Sequence, residues 1–250
     1  MPRWLPALYG LACYGAFVVA FVALLAFIGG LTDPSLGDTA PFSWGAVAWD
    51  TALIALFAAQ HSVMARRGFK RVARRRIPEA LERSTYVLAS SAAVGAMVLG
   101  WRPAGGVVWV ADEAWAQAAL VAVAAYGLAL TLVAGTSIDH LGLFGLRQSV
   151  GTVARAGPGL VWSGVYARIR HPLLLGFLLM AWSWPSMTAG RLVFALAFSG
   201  YIALGVALEE RDLVLAHPEY REYRRRVPMF VPRPWRRAGR YAPLRSERTS

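Results

Sequence analysis

Arg170, His171 and Pro172 stand directly ahead of an apolar run, in the stretch Y-A-R-I-R-H-P-L-L-L-G from Tyr166 to Gly176. Proline suits the first turn of a helix, where its missing N–H costs nothing. Arg170 and His171 are therefore expected at a helix N-terminus, beside unpaired N–H groups and the positive end of the helix dipole. Such a spot binds anions, for example the carboxylate of a small cofactor. The competing reading is an interfacial anchor, because basic residues commonly flank membrane spans on the cytoplasmic side.

Glu209 and Glu210 close a second apolar run. Carboxylates there would accept hydrogen bonds from a ribose diol and attract a positive centre. Adjacent helical residues point about 100° apart, so one of the two is enough for a site. Against this stands a pair of solvated acids matched with Arg211 or with arginines of the tail. Tyr220 and Tyr223 lie in a basic, aromatic segment that either lids a site by stacking on a base or rests on headgroups.

Gln60 and His61 end another apolar run, and a polar pair at membrane depth usually faces the bundle interior. Asp139 and His140 invite a metal or acid–base reading, with helix capping as the alternative. No His-x-x-x-His or comparable spacing supports a metal, and none is expected. The sequence also lacks a P-loop, a G-x-G-x-x-G, a G-x-S-x-G and an H-E-x-x-H, which disfavours Rossmann-type enzymes and zinc proteases.

These residues must be positioned by a membrane bundle. The 250 residues are 57% hydrophobic and only 16% charged, and mean hydropathy is +0.45. A soluble domain carries about 25% charged residues. The net charge of +12 sits around apolar runs, so lipid headgroups and topology explain it and nucleic acid does not. Cys13 stands alone and excludes an intrachain disulfide. The first apolar run is too long for a signal peptide.

Apolar runs at Leu5–Leu31, Ser43–Ala65, Ser84–Trp101 and Ala114–Ile138 read as four spans. Pro172–Leu208 reads as a helical hairpin turning at Trp184–Gly190, with a first arm of only about 20 Å. The expected class is an all-α integral membrane protein of about five to six transmembrane helices, ending in that hairpin. One membrane domain, 1–250, divides into spans (1–138), cytoplasmic connector (139–171), hairpin (172–208) and basic tail (209–250). Basic residues crowd Arg66–Arg83, the connector and the tail, so these face the cytoplasm and both termini are inside. The antiparallel hairpin would then bring Arg170 and His171 to the same side as Glu209 and Glu210.

Taken together, Arg-His-Pro-x-x-x-Gly, the Glu-Glu pair and the following Tyr, Tyr and Val-Pro resemble the isoprenylcysteine carboxyl methyltransferase and phospholipid methyltransferase superfamily. Within it, the stretches from Gln60 to Arg66, Glu82 to Tyr86, Leu143 to Gln148, Trp184 to Thr188 and Glu209 to Leu213 are most similar to the bacterial methanethiol S-methyltransferases and to NnrU-like membrane proteins. The resemblance covers roughly Gln60 to Pro232 and implies a bacterial cytoplasmic-membrane enzyme using S-adenosyl-L-methionine, with its site facing the cytoplasm. By that resemblance Tyr166, Arg170, His171, Pro172, Gly176, Glu209, Glu210, Tyr220 and Tyr223 bind the cofactor. Leu174 stands where the wider superfamily often has Tyr, and 149–163 matches nothing in the pattern.

Methyl transfer to a thiol requires alignment of donor and nucleophile, exclusion of water and a thiolate. Arg147 or Arg170 would favour the thiolate, and His61 or His140 would take the proton. The acceptor implied is methanethiol, giving dimethyl sulfide. The alternatives are another small thiol, a lipid acceptor or a non-enzymatic NnrU-like membrane protein. Membrane lipid is the other expected partner, and the sequence leaves the oligomeric state open.

Overall fold

The structure, a computed structural model, describes residues 4–31, 41–151 and 161–232. Residues 32–40, most of the unmatched 149–163 segment and the tail beyond 232 lie outside the described residues.

The helices form where the apolar runs predict. They are α1 (Trp4–Ile28), α2 (Trp44–Ala65), α4 (Glu79–Gly100), α5 (Ala114–Thr136), α8 (Pro172–Trp182) and α9 (Ala189–Ala216), while α3 (Arg67–Ala73) forms in the basic stretch between α2 and α4. Two short helices, α6 (His140–Leu143) and α7 (Leu146–Ser149), lie in the connector, and α10 (Tyr220–Arg226) follows α9. Among the described residues four helices, α1, α2, α5 and α9, are long and apolar enough to cross a membrane. Their outer faces expose Val19, Val22, Val121 and Leu204, as expected where the surrounding solvent is hydrocarbon. The fold is an all-α membrane bundle.

α4 starts earlier than the sequence suggests and carries Glu79 and Glu82 in its first turn, where acids favour the dipole. It is less apolar than the other four, yet its 22 residues cover about 33 Å. Its start meets Tyr9 of α1 through Thr85 (3.0 Å), and its end accepts Trp49 Nε1 of α2 at Gly100 O (2.8 Å). It therefore runs the height of the bundle beside α1 and α2.

The expected loop between α4 and α5 contains a strand, β1 (Val107–Val110), paired antiparallel with β2 (Ser186–Thr188) in the hairpin break. The break is not merely a turn. α8 has 11 helical residues, about 16 Å, and residues 183–188 continue non-helically at up to about 3.3 Å each. The extended piece supplies the reach that the short first arm lacks. Thr188 then caps α9, accepting from Arg191 N at 3.4 Å.

Two glycines let α5 and α8 touch backbone to backbone. A Cβ at Gly127 would fall 2.7 Å from Gly176 O, and one at Gly176 would collide with Thr131 Oγ1 and Gly127 O. The core beside this contact is aromatic. Phe194 and Phe198 stack at 5.2 Å, and Phe27, Trp101 and Phe177 meet them edge-on. The described start of the connector packs against the bundle. Gly145, at φ 85°, allows its backbone to approach Ser84, and Phe144 stacks on Phe17 of α1 at 3.8 Å.

Candidate functional site

Pro172 occupies the first turn of α8, and His171 is the residue before it. The expected meeting of the two hairpin ends is present. Arg170 Nε donates to Glu210 Oε1 at 2.7 Å, and His171 Nε2 lies 3.1 Å from the same oxygen. The Arg170 and Glu210 side chains are only 8% and 7% exposed. Buried charges persist only when paired and hydrogen-bonded, and here one carboxylate oxygen meets both Arg170 and His171.

Glu209 differs from its neighbour. Its side chain is 57% exposed, with Oε2 4.0 Å from His171 Nδ1. The helix does not stop at the two acids: α9 continues to Ala216 and carries both on its sides. This is why one acid points into the bundle and the other to the mouth.

The segment after α9 closes over the cluster. Arg170 also donates through one terminal nitrogen to Arg224 O (2.9 Å) and to Val227 O. The backbone N–H groups of Arg170 and His171 donate to Pro228 O (3.0 Å) and Met229 O (3.2 Å). The expectation of an open anion site at this helix terminus is modified accordingly, because chain carbonyls take those two donors. Arg224, half exposed, lies 3.8 Å from Glu210 Oε2.

Tyr220 and Tyr223 are buried, so neither expected posture, ring on base or ring on headgroup, describes them. They pack with Trp162 and Val227, the Trp162–Tyr223 rings meeting edge-on at 4.6 Å. Tyr220 donates weakly to Glu210 Oε1 (3.5 Å), and Tyr223 donates to Tyr166 O at 2.6 Å. Tyr166 sits in a single 3-10 turn, Gly164–Ala167. Burial first, then the Glu209 charge, pushes its phenol up to about 12. Burial also raises the phenols of Tyr220 and Tyr223.

The structure therefore gathers Tyr166, Arg170, His171, Pro172, Glu209, Glu210, Tyr220 and Tyr223 at one end of the bundle. Gly176 lies one turn inside α8 and serves the contact with α5. Arg147 stays apart on α7, which packs on α1 and α4, and its Nε pairs with Asp139 at 3.2 Å. His140 opens α6, and its side chain lies outside the described residues. Among the described residues no group of His, Cys, Asp and Glu is arranged to hold a metal.

His61 lies deeper, at the contact of α2, α4 and α9. Its Nδ1 is 3.3 Å from Ser90 Oγ, and the Tyr86 hydroxyl lies 2.9 Å from Nε2 and 3.1 Å from Nδ1. Phe57 and Tyr201 flank the ring at 5.3 and 6.5 Å. Sequence reasoning did not assemble Tyr86, Ser90 and Tyr201 around His61. The available signal was polar side chains inside apolar runs, but their helical phases on three separate elements could not be matched without the packing. The same end of the bundle holds a cleft lined by Met64, Phe69, Lys70, Ile77, Arg83 and Tyr86. Burial, then the Arg83 charge, lowers the Lys70 ammonium from the usual lysine range.

Comparison with known proteins decides the family. The model described as "NnrU protein" matches residues 51–231. The chain belongs to the NnrU family. Relatives of this NnrU chain span nearly its whole length. It is 41% identical over 244 residues to "Methanethiol S-methyltransferase" of Mycobacterium tuberculosis, covering 94% of this chain and 99% of that one. It is 42% identical over 236 residues to "Methanethiol S-methyltransferase 2" of Bradyrhizobium diazoefficiens, covering 90% and 89%. It is 39% identical over 232 residues to "Methanethiol S-methyltransferase" of a Pseudomonas species, again 90% and 89%. No solved structure matches the NnrU chain.

Proposed function

We propose that this chain is a membrane S-methyltransferase that converts methanethiol to dimethyl sulfide with S-adenosyl-L-methionine as donor. The observation that carries the reading is the cluster at the end of the bundle. A buried Arg170–Glu210–His171 group holds a second acid, Glu209, exposed beside Tyr166. The names of relatives matched across 94% and 90% of the chain support the acceptor.

The residues present fit such a donor. An exposed carboxylate next to a phenol suits a ribose diol or an ammonium group. Half-exposed Arg224 suits a carboxylate. When bound, S-adenosylmethionine supplies an electrophilic methyl on a sulfonium, which passes to the thiol sulfur and leaves S-adenosylhomocysteine.

Arg170 acts by fixing Glu210, and with it the pitch of α9 that aims Glu209 at the mouth. The buried Tyr220, Tyr223 and Val227, with half-buried Trp162 against them, keep water from the cluster. His61 takes the thiol proton, its ring oriented by Ser90 and Tyr86. Arg147 is occupied with Asp139 and has no part in this scheme. The described basic residues other than Arg102 and Arg191 lie at the cluster's end of the bundle or in the segments next to it, and this supports a cytoplasmic site.

Purified protein in detergent should convert methanethiol and S-adenosylmethionine to equal amounts of dimethyl sulfide and S-adenosylhomocysteine. Donor turnover without dimethyl sulfide would reassign the acceptor. No donor binding would end the enzymatic reading. Replacement of His61 by Ala should lower kcat by about a hundredfold or more, and unchanged turnover would remove it as the base.

A further inference from the structure

α2, α3 and the start of α4 enclose a cleft of about 320 Å³, counted with its open mouth. Met64, Phe69, Ala73 and Ile77 give it apolar walls, and Lys70 and Arg83 add two cations. Neither cation is matched by an acid of its own. Arg83 spends its Nε on Leu143 O at 2.6 Å, and the half-buried Lys70 ammonium has no hydrogen bond or ion pair among the described residues. Glu82, the acid in the wall, is committed to Arg74 at 2.5 Å, and Glu79 lies 3.7 Å from the same arginine. Burial, then the Arg83 charge, already disfavours the charged form of Lys70, and a bound anion would offset both.

The surroundings place this cleft at a membrane surface. α3 exposes Phe69 (38%) and Val72 (62%), with exposed Arg71, Arg75 and Arg76 beside them in the chain. Apolar and basic side chains mixed on one short segment suit the boundary between acyl chains and headgroups.

We propose that this cleft binds one anionic phospholipid, its phosphate between Lys70 and Arg83 and its glycerol and first methylenes against Met64, Phe69 and Ile77. The charge selects the ligand. A zwitterionic lipid would bring an ammonium toward two cations, and a free phosphate would leave the apolar walls uncovered. The lipid is held and not methylated, so the site goes beyond the methyltransfer reading and stands apart from the Glu209 and Glu210 cluster. It does adjoin the His61 contact, because Arg83 lies over the Tyr86 ring at 5.1 Å and the Tyr86 hydroxyl meets His61.

The test titrates the full chain in dodecyl maltoside with dioleoyl phosphatidylglycerol, dioleoyl phosphatidylcholine or glycerol 3-phosphate, and counts bound lipid by native mass spectrometry. One phosphatidylglycerol should bind about tenfold or more tighter than phosphatidylcholine, and glycerol 3-phosphate should not displace it. Lys70→Gln should weaken that binding about tenfold or more. Ala73→Phe, which fills the cleft at unchanged charge, should do the same. Arg75→Gln removes an exposed cation outside the cleft and should change it by less than about threefold. Equal losses in Lys70→Gln and Arg75→Gln, or equal affinity for the two lipids, would overturn the site in favour of general headgroup attraction. Displacement by glycerol 3-phosphate would overturn the lipid as occupant. Undiminished binding by a folded Ala73→Phe would overturn the cleft as its seat. If Ala73→Phe does not fold, the contrast between Lys70→Gln and Arg75→Gln decides alone.

Discussion

Glu209 and Glu210 are neighbours in sequence with opposite environments, and substitution should separate their roles. Glu210→Ala would leave the buried Arg170 guanidinium without its carboxylate. Breaking such a pair costs about 3–5 kcal/mol, to be read as a large fall in the thermal or denaturant midpoint. Glu209→Gln, on an exposed side chain, should change stability by no more than about 0.5 kcal/mol while weakening donor affinity several-fold. Equal stability loss in the two variants would show that the buried pair is not what holds this end together. Tyr166 provides a pH signature. Its phenol is raised from 10.0 to about 12 in the folded protein, so between those values the unfolded chain has lost a proton that the native chain keeps. Stability contributed below pH 10 is therefore lost as pH rises toward about 12. Tyr166→Phe should flatten that part of the alkaline unfolding profile, and an unchanged profile would count against the burial described.

At the scale of elements, the glycine crossing of α5 and α8 is the most constrained contact near the site. Gly176→Val would drive a side chain into Thr131 and the Gly127 carbonyl. Backbone atoms on both helices must then move apart, costing at least about 1–3 kcal/mol and displacing the α8 start that carries His171. Circular dichroism melts and donor affinity should fall together, whereas Leu174→Ala should affect them less. Much of this architecture was legible in the chain: Pro172 marked the start of α8, apolar length marked α1, α2, α5 and α9, and the hairpin predicted that Arg170 and His171 would meet the acids. What stayed hidden depended on phase and partner. Adjacent acids look alike in sequence, and only the continuation of α9 past them decides which is buried. β1 and β2 are too short for periodicity to reveal, and their pairing joins residues far apart in the chain. The use of Gly176 in packing was invisible because a glycine reads the same beside a ligand and beside another backbone.

Across the whole molecule the charges are strongly polarised. Among described residues only Arg102 and Arg191 are basic at the β1–β2 end, and Arg191 lies over the Trp184 ring at 3.6 Å. By the positive-inside rule this polarity supports the orientation proposed above, with the cluster end toward the cytoplasm. Engineered cysteines can test this directly, since native Cys13 is 1% exposed. A membrane-impermeant maleimide applied to intact spheroplasts should label Asp112→Cys and spare Arg75→Cys, with both labelled after lysis. The reverse pattern would invert the orientation.

The grip of residues 224–229 on Arg170 and His171 also sets a timetable. During synthesis the spanning helices are made first, yet the guanidinium at 170 can acquire its carbonyl acceptors only once residues 224–227 have left the ribosome. The cluster end is thus completed last, and a chain truncated before residue 224 would keep α1, α2, α5 and α9 while its Arg170 lacked those acceptors.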